Sequence, residues 1–198
     1  MSFDERQAQS FLGPLSGRTT TFLLEGREAN LAFARTVVGL FGRTGGSCTV
    51  LDLDAFYSTN ADVIFASLPG AESMTIRVPE PGADIETEFA GVFESNQKVV
   101  LVDSLNSLYH LVSREDGSSR SRKLAFAVAS LSYLAKTNDM AVILTMYRRE
   151  GFFRSGTGRS ISNLSDVTAS VDVRGDELTA RVERGQAWAG GRYSIRIP

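Results

Sequence analysis

Short apolar runs alternate with amphipathic segments along most of the chain. The runs TTFLL, CTVLDLD, MTIRV, KVVLVD and MAVILT, which begin at positions 20, 48, 74, 98 and 140, each predict a buried strand. Between them, apolar residues recur at helical spacing, which predicts helices over residues 30–41, 61–68, 84–95 and 122–136. The alternation of strand and helix predicts an α/β domain built on a mainly parallel sheet.

The C-terminal part of the chain has a different pattern. DVTASVDVRG, DELTARVERG and GRYSIRI alternate apolar and polar positions and are separated by turn residues. This pattern predicts antiparallel strands that form β-hairpins at one edge of the parallel sheet. Because no repeat or linker interrupts the chain, we expect an N-terminal segment at residues 1–16 and a single domain at residues 17–198.

The composition excludes several classes of protein. With 42% hydrophobic and 22% charged residues and no apolar run of about 18 residues, the sequence predicts a soluble protein without a membrane span. The polar N-terminus predicts neither a signal peptide nor a transit peptide, so a cytoplasmic location is expected. Cys48 and His110 are the only cysteine and histidine, which excludes disulfide frameworks and zinc sites of the Cys/His type. We therefore expect neither a metal nor a cofactor.

Charge is unevenly distributed along the chain. The net charge is −2, but residues 148–198 hold nine arginines and six acidic residues. Arginine suits phosphate and stacks on bases, so this asymmetry points to a polyanionic partner. A solvated basic surface would give the same composition, and charge alone does not separate the two interpretations.

Two longer stretches resemble a known family. Residues 103–145, DSLNSLYHLVSREDGSSRSRKLAFAVASLSYLAKTNDMAVILT, resemble the ATPase core of the RecA/RadA recombinases from its magnesium-associated aspartate, through the first DNA-binding loop and a long helix, to the next strand. The tail at residues 165–197 resembles that core's closing β-hairpins. The resemblance covers about residues 17–198, without an N-terminal DNA-binding domain, as in the shorter archaeal RadA paralogues. It implies a RecA-like three-layer fold, with a mainly parallel central sheet flanked by helices.

The sequence departs from this family where triphosphate would bind. A P-loop needs the pattern G-x-x-x-x-G-K-[ST] after the first strand, so that backbone amides cradle the phosphates. Here the first strand runs into EGREAN, which has one glycine, and the first lysine of the chain is Lys98. Arg27 is a conceivable substitute for the lysine, but a point cation cannot replace the amides. The sequence therefore predicts a pseudo-ATPase with a degenerate Walker A motif and no catalytic residues.

The resemblance also implies a vestigial nucleotide site. It places Asp103 and Ser104 at the Walker B position and Asp54, in VLDLDAF, where the family has its catalytic glutamate. Because Asp is one methylene shorter than Glu, Asp54 would hold a water-activating carboxylate too far from a γ-phosphate. Asp103 is either a structural residue at a strand end or a magnesium ligand, and we favour the structural role.

Cations and aromatics mark two candidate nucleic-acid-binding segments. In the family, the segment after the MAVILT-type strand contacts single-stranded DNA; here it carries Arg148, Arg149, Phe152, Phe153, Arg154 and Arg159. Arginines bind phosphates and rings stack on unpaired bases. The alternative is that the two phenylalanines fold onto the core or fill a groove of a neighbouring subunit. The position of the family's first DNA loop carries Arg120, Arg122 and Lys123, although Glu115 and Asp116 interrupt its charge.

These observations favour a noncatalytic recombinase paralogue in DNA recombination or repair. Its expected partners are single-stranded DNA or RNA and recombinase or related RecA-like subunits, in a homo- or hetero-oligomer. One alternative is a structural subunit of another RecA-type ring, such as an Elongator-like assembly that binds tRNA. A second is an ATPase with an atypical phosphate site that uses Arg27.

Overall fold

The computed structural model of the chain describes residues 5–44, 47–66, 68, 74–80, 85–93, 97–111, 117–148 and 163–197. The strands in these ranges are β1 (Thr19–Leu24), β2 (Cys48–Asp52), β3 (Met74–Arg77), β4 (Val99–Asp103), β5 (Ala141–Tyr147), β6 (Val167–Arg174), β7 (Glu177–Arg184) and β8 (Arg192–Arg196). The helices are α1 (Glu5–Leu12), α2 (Gly26–Thr44), α3 (Phe56–Thr59), α4 (Ala61–Ile64), α5 (Ile85–Phe93), α6 (Leu105–Leu111) and α7 (Gly117–Asn138). Two 3₁₀ turns, Gly13–Leu15 and Ala189–Gly191, complete the described elements.

The described strands form one sheet in the order β3-β2-β4-β5-β1-β6-β7-β8. The pairs from β3 to β6 are parallel. Every residue of β1, β2 and β4 is buried, which is expected of strands covered by helices on both faces. The prediction of a mainly parallel α/β sheet is therefore confirmed.

Helices cover both faces of the parallel part. One face packs α1 to α4 through residues such as Phe33, Val37 and Ile64, and the other packs α5 to α7 through residues such as Phe89, Leu105 and Val128. The result is a three-layer architecture. Because β1, β2, β4 and β5 are parallel, their carboxyl ends lie at the same edge of the sheet, here called the carboxyl edge. Proteins of the α/β class commonly bind ligands at this edge.

The C-terminal strands extend the sheet beyond β1 with both kinds of pairing. Strand β6 pairs with β1 in parallel, whereas β7 and β8 pair antiparallel. The sequence pattern predicted antiparallel strands for the whole tail, so β6 is the exception. A parallel strand requires a connection that returns to the sheet's opposite edge, and the 19 residues 148–166 between β5 and β6 are long enough for one. Gly175, with φ +60°, begins the two-residue turn between β6 and β7.

The N-terminal helix packs against the C-terminal end of the chain. Phe11 is fully buried and stacks on Trp188 at a ring-centroid distance of 5.4 Å. The indole Nε1 of Trp188 donates a hydrogen bond of 3.2 Å to the carbonyl oxygen of Phe11. Tyr193 adds its ring to the same cluster, with a centroid 5.1 Å from that of Phe11. Helix α1 is thereby part of the hydrophobic core.

Candidate functional site

A single residue connects the first strand to the helix that follows. Strand β1 ends at Leu24, Glu25 lies between, and α2 begins at Gly26, which has φ +79°. Arg27 is exposed in the first turn of α2. The Glu25 carboxylate accepts from the Arg148 guanidinium at 3.3 Å, so this turn is tied to the end of β5.

Asp103 ends β4 in a buried position. Its Oδ1 accepts a hydrogen bond from the Thr145 hydroxyl and another, of 3.3 Å, from the Tyr147 hydroxyl. Its Oδ2 is buried without a hydrogen bond to any described residue. Burial raises the pKa of Asp103 to about 7, and the negative charges of Asp54 and Asp52 add to this effect, while the bond from Thr145 opposes it. With this pKa, the Asp103 carboxyl gains or loses its proton near neutral pH.

The other two carboxylates of this edge accept hydrogen bonds from their neighbours. The Asp54 side chain accepts from the hydroxyl of Ser104 at 2.7 Å and from that of Ser107. Asp52 accepts from the backbone N–H of Phe56 at 2.7 Å and of Ser58 at 2.8 Å, so it caps α3. The structure thus brings the side chains of Asp54 and Ser104 into contact.

A polar network next to Asp103 joins α2, β5 and α6. Asn30 of α2 donates through Nδ2 to the Tyr147 hydroxyl at 2.5 Å, and that hydroxyl donates to Asp103. Asn106 of α6 accepts through Oδ1 from the Tyr147 backbone N–H at 2.7 Å. Burial raises the pKa of Tyr147 above its usual value, and the negative charge of Asp103 raises it further. The residue pattern gave no indication of Asn30 or Tyr147.

Arg148 begins the predicted nucleic-acid-binding segment and lies at an open cleft. Its guanidinium contacts the Glu183 carboxylate at 2.9 Å as well as that of Glu25. The cleft has a volume of about 190 Å³, and Arg174 and Arg181 also line it. Sequence reasoning missed these last two arginines. Side chains alternate between the two faces of a strand, and this alternation places Arg174 and Arg181 on the face of β6 and β7 that carries polar side chains. The alternation is visible in the sequence and could have identified them.

The remaining predicted residues fall into two groups. Arg120 lies in the first turn of α7, and Arg122 and Lys123 are exposed on the following turn. The others lie outside the described residues: Arg149, Phe152, Phe153, Arg154 and Arg159. The nucleic-acid-binding role of the whole segment, Arg148 included, therefore stays a prediction.

Comparison with known proteins identifies the architecture. No protein-family model matches the chain, and no curated protein matches it significantly. Among solved structures, the crystal structure of a RadB recombinase superposes with a TM-score of 0.64 at 14% sequence identity, covering 98% of this chain and 94% of that one. The chain has a RecA/RadA-like fold. This confirms the fold that the resemblance implied, including the RecA-like order of parallel strands followed by antiparallel strands at the C-terminal end.

Within the described part of the chain, no helix is both long enough and apolar enough to cross a bilayer.

Proposed function

We propose that this chain is a noncatalytic RecA/RadA-like paralogue that binds single-stranded nucleic acid, a recombinase partner or both, in DNA recombination or repair. The observation that carries the proposal is the fold, which matches a RadB recombinase over nearly the whole of both chains. Related RecA-like subunits, in a homo- or hetero-oligomer, are the proposed protein partners.

The noncatalytic part of the proposal is supported by the turn after β1. A triphosphate cradle needs several successive backbone amides and a lysine, whereas Glu25 alone separates β1 from α2. Asp103 at the Walker B-like position is buried, and its Oδ1 already accepts hydrogen bonds from the hydroxyls of Thr145 and Tyr147. Both features fit a domain that has lost ATP hydrolysis.

The nucleic-acid part is supported by charge at the carboxyl edge. Arg148 lies there at the start of the predicted segment, beside a cleft that Arg174 and Arg181 also line. Glu25 and Glu183 balance part of this charge through their ion pairs with Arg148. The arginines that follow Arg148 in the sequence would raise the positive charge further, as phosphate contacts require.

The test replaces Arg148, Arg149 and Arg154 with alanine and titrates a fluorescent single-stranded oligonucleotide at several salt concentrations. We expect weaker binding and a shallower dependence on salt, because fewer counterions are released. Arg6→Ala, on α1 in the opposite helical layer, is the matched control and should bind like the parent. Equal affinity of parent and triple variant would overturn the assignment of this segment.

Two further measurements separate the alternatives. Competition between single-stranded DNA and tRNA distinguishes the recombination role from an Elongator-like one, which a preference for tRNA would favour.

ATP at about 100 times a plausible dissociation constant should add about 2.7 kcal/mol to the free energy of unfolding if the chain binds it. We expect ATP to leave the free energy of unfolding unchanged. An increase of about 2.7 kcal/mol would contradict the loss of the phosphate site.

A further inference from the structure

The outward side of α7 carries two exposed aromatic residues. Phe126 is 70% exposed and Tyr133 is 68% exposed. They are seven residues apart, so they lie on the same side of the helix, roughly 10 Å from each other along its axis. The residues that bury α7 against the sheet lie on the opposite side: Leu124, Val128, Leu131 and Ala135.

These rings do not serve the hydrophobic core. Leu124 and Val128 are fully buried on the inner side, so the helix is anchored without Phe126 or Tyr133. Between the two rings the helix has Ala129 and Ser130, whose small side chains leave the ring faces accessible. Exposed aromatic patches bordered by polar residues mark interaction sites.

The charge of α7 indicates the chemistry of the partner. Residues Gly117–Asn138 include four cations, Arg120, Arg122, Lys123 and Lys136, and no acidic residue. The whole chain has 23 acidic residues in 198, so a segment of 22 residues would hold two or three at that frequency. An acid-free helix with exposed rings is complementary to a polyanion that also presents planar bases.

Helix α7 runs from the carboxyl edge of the sheet to the opposite edge. Tyr133 lies towards the opposite edge, because its neighbour Ser132 donates to Asp166 at 3.3 Å just before β6. The chain leaves β4 at the carboxyl edge, passes through α6 and α7, and enters the parallel strand β5 at the opposite edge. The last turns of α7 lie near the start of β6, where Lys136 pairs with Asp166 at 2.9 Å. Arg122 and Phe126 therefore lie towards the same edge as Arg148.

We propose that the surface formed by Arg122, Phe126, Ala129 and Tyr133 stacks the bases of single-stranded nucleic acid. This inference rests on the proposed function and adds two rings that the arginine segment does not include. Stacking accepts any base, because every base has a π-face, while the cations of the first turns meet phosphates. A protein that docks on the same rings is the competing occupant, and the experiment below distinguishes it.

The first experiment places a fluorescent reporter in the surface. Phe126→Trp is titrated with a thymidine oligonucleotide, and the indole fluorescence is followed. Stacking of a base on the new ring should quench its emission in proportion to binding. The parent is the control, because its single tryptophan, Trp188, is buried against Phe11 and should not respond. Binding without quenching at position 126 would overturn the inference.

The second experiment measures affinity for the same oligonucleotide. Alanine at both Phe126 and Tyr133 should weaken binding by roughly 5- to 150-fold per ring and leave the salt dependence unchanged. Tyr133→Phe keeps the ring, and Val63→Ala removes an exposed apolar side chain on α4; both should bind like the parent.

The outcomes separate this inference from the proposed function. If the parent binds and only the arginine variant weakens binding, the stacking surface is refuted and the proposed function stands. If the double alanine variant instead changes the mass in solution at unaltered affinity, α7 docks a protein and the inference is wrong. If the parent binds no nucleic acid, the inference and the nucleic-acid part of the proposed function are both overturned.

Discussion

Asp103 provides a direct test of the electrostatics at the carboxyl edge. Burial raises its pKa to about 7, from 3.8 for an exposed aspartate, and its side chain is buried. The folded protein therefore keeps this proton to a higher pH than the unfolded chain does. The stability that protonation contributes is fully present below about pH 4 and is lost as the pH rises through about 7.

The magnitude follows from the two pKa values. At pH 5 the unfolded chain has already ionised Asp103, whereas the folded protein ionises it only near pH 7. Two pH units correspond to roughly 3 kcal/mol at about 1.4 kcal/mol per unit. From pH 5 to pH 8, the free energy of unfolding of the parent should therefore fall by roughly 3 kcal/mol more than that of Asp103→Asn, which cannot titrate. Any pH-independent cost of the substitution cancels in this comparison.

Urea unfolding at pH 5, 6, 7 and 8, followed by the fluorescence of Trp188, gives the required free energies. A second variant tests the direction in which the pKa of Asp103 changes. The hydrogen bond from Thr145 lowers the pKa of Asp103, so Thr145→Val should move the fall in stability to higher pH. Parallel curves for the parent and Asp103→Asn would refute the reasoning, because they would mean that Asp103 is ionised throughout this range.

Two further predictions concern the C-terminal strands. Gly185→Ala should cost more than the roughly 1–2 kcal/mol of a left-handed backbone, because φ is +85° and a Cβ would overlap the Asp166 carbonyl oxygen. Gly175→Ala, at φ +60° with open space, should cost only the backbone part, and equal losses in urea would contradict the overlap. Arg192→Glu should raise the free energy of unfolding by roughly 0.2–1 kcal/mol, because Arg192 lies directly opposite Arg181. This gain should shrink at high salt, and a loss at low salt would show that the two guanidinium groups do not repel each other.

The fold was readable from the sequence where burial alone determines it. Strands such as β4 are apolar on both faces, so a continuous apolar run identified them without knowledge of their neighbours. The helix predicted over residues 61–68 is helical over Ala61–Ile64, and the short helices α3 and α6 were not predicted. Helices of four to seven residues contain too few turns to display a period.

Pairing direction and polar contacts were less predictable because they depend on distant residues. Strand β6 alternates like an edge strand, yet it lies parallel beside β1 because the chain returns to the opposite edge before it begins. Asn30 and Tyr147 are 117 positions apart, and only the packing of α2 against the sheet brings their side chains together. The sequence identified Asp103 because it ends an apolar run. It did not identify the partners that set the pKa of this carboxyl.

The charged side chains at the carboxyl edge already have partners within the protein. Asp54 accepts two hydroxyl hydrogen bonds, and Asp103 accepts two through its Oδ1. Arg148 is paired as well, with Glu25 at 3.3 Å and Glu183 at 2.9 Å, and 37% of its side chain is exposed at the cleft. Under the proposed function, a phosphate at Arg148 would therefore have to replace one of these two carboxylates.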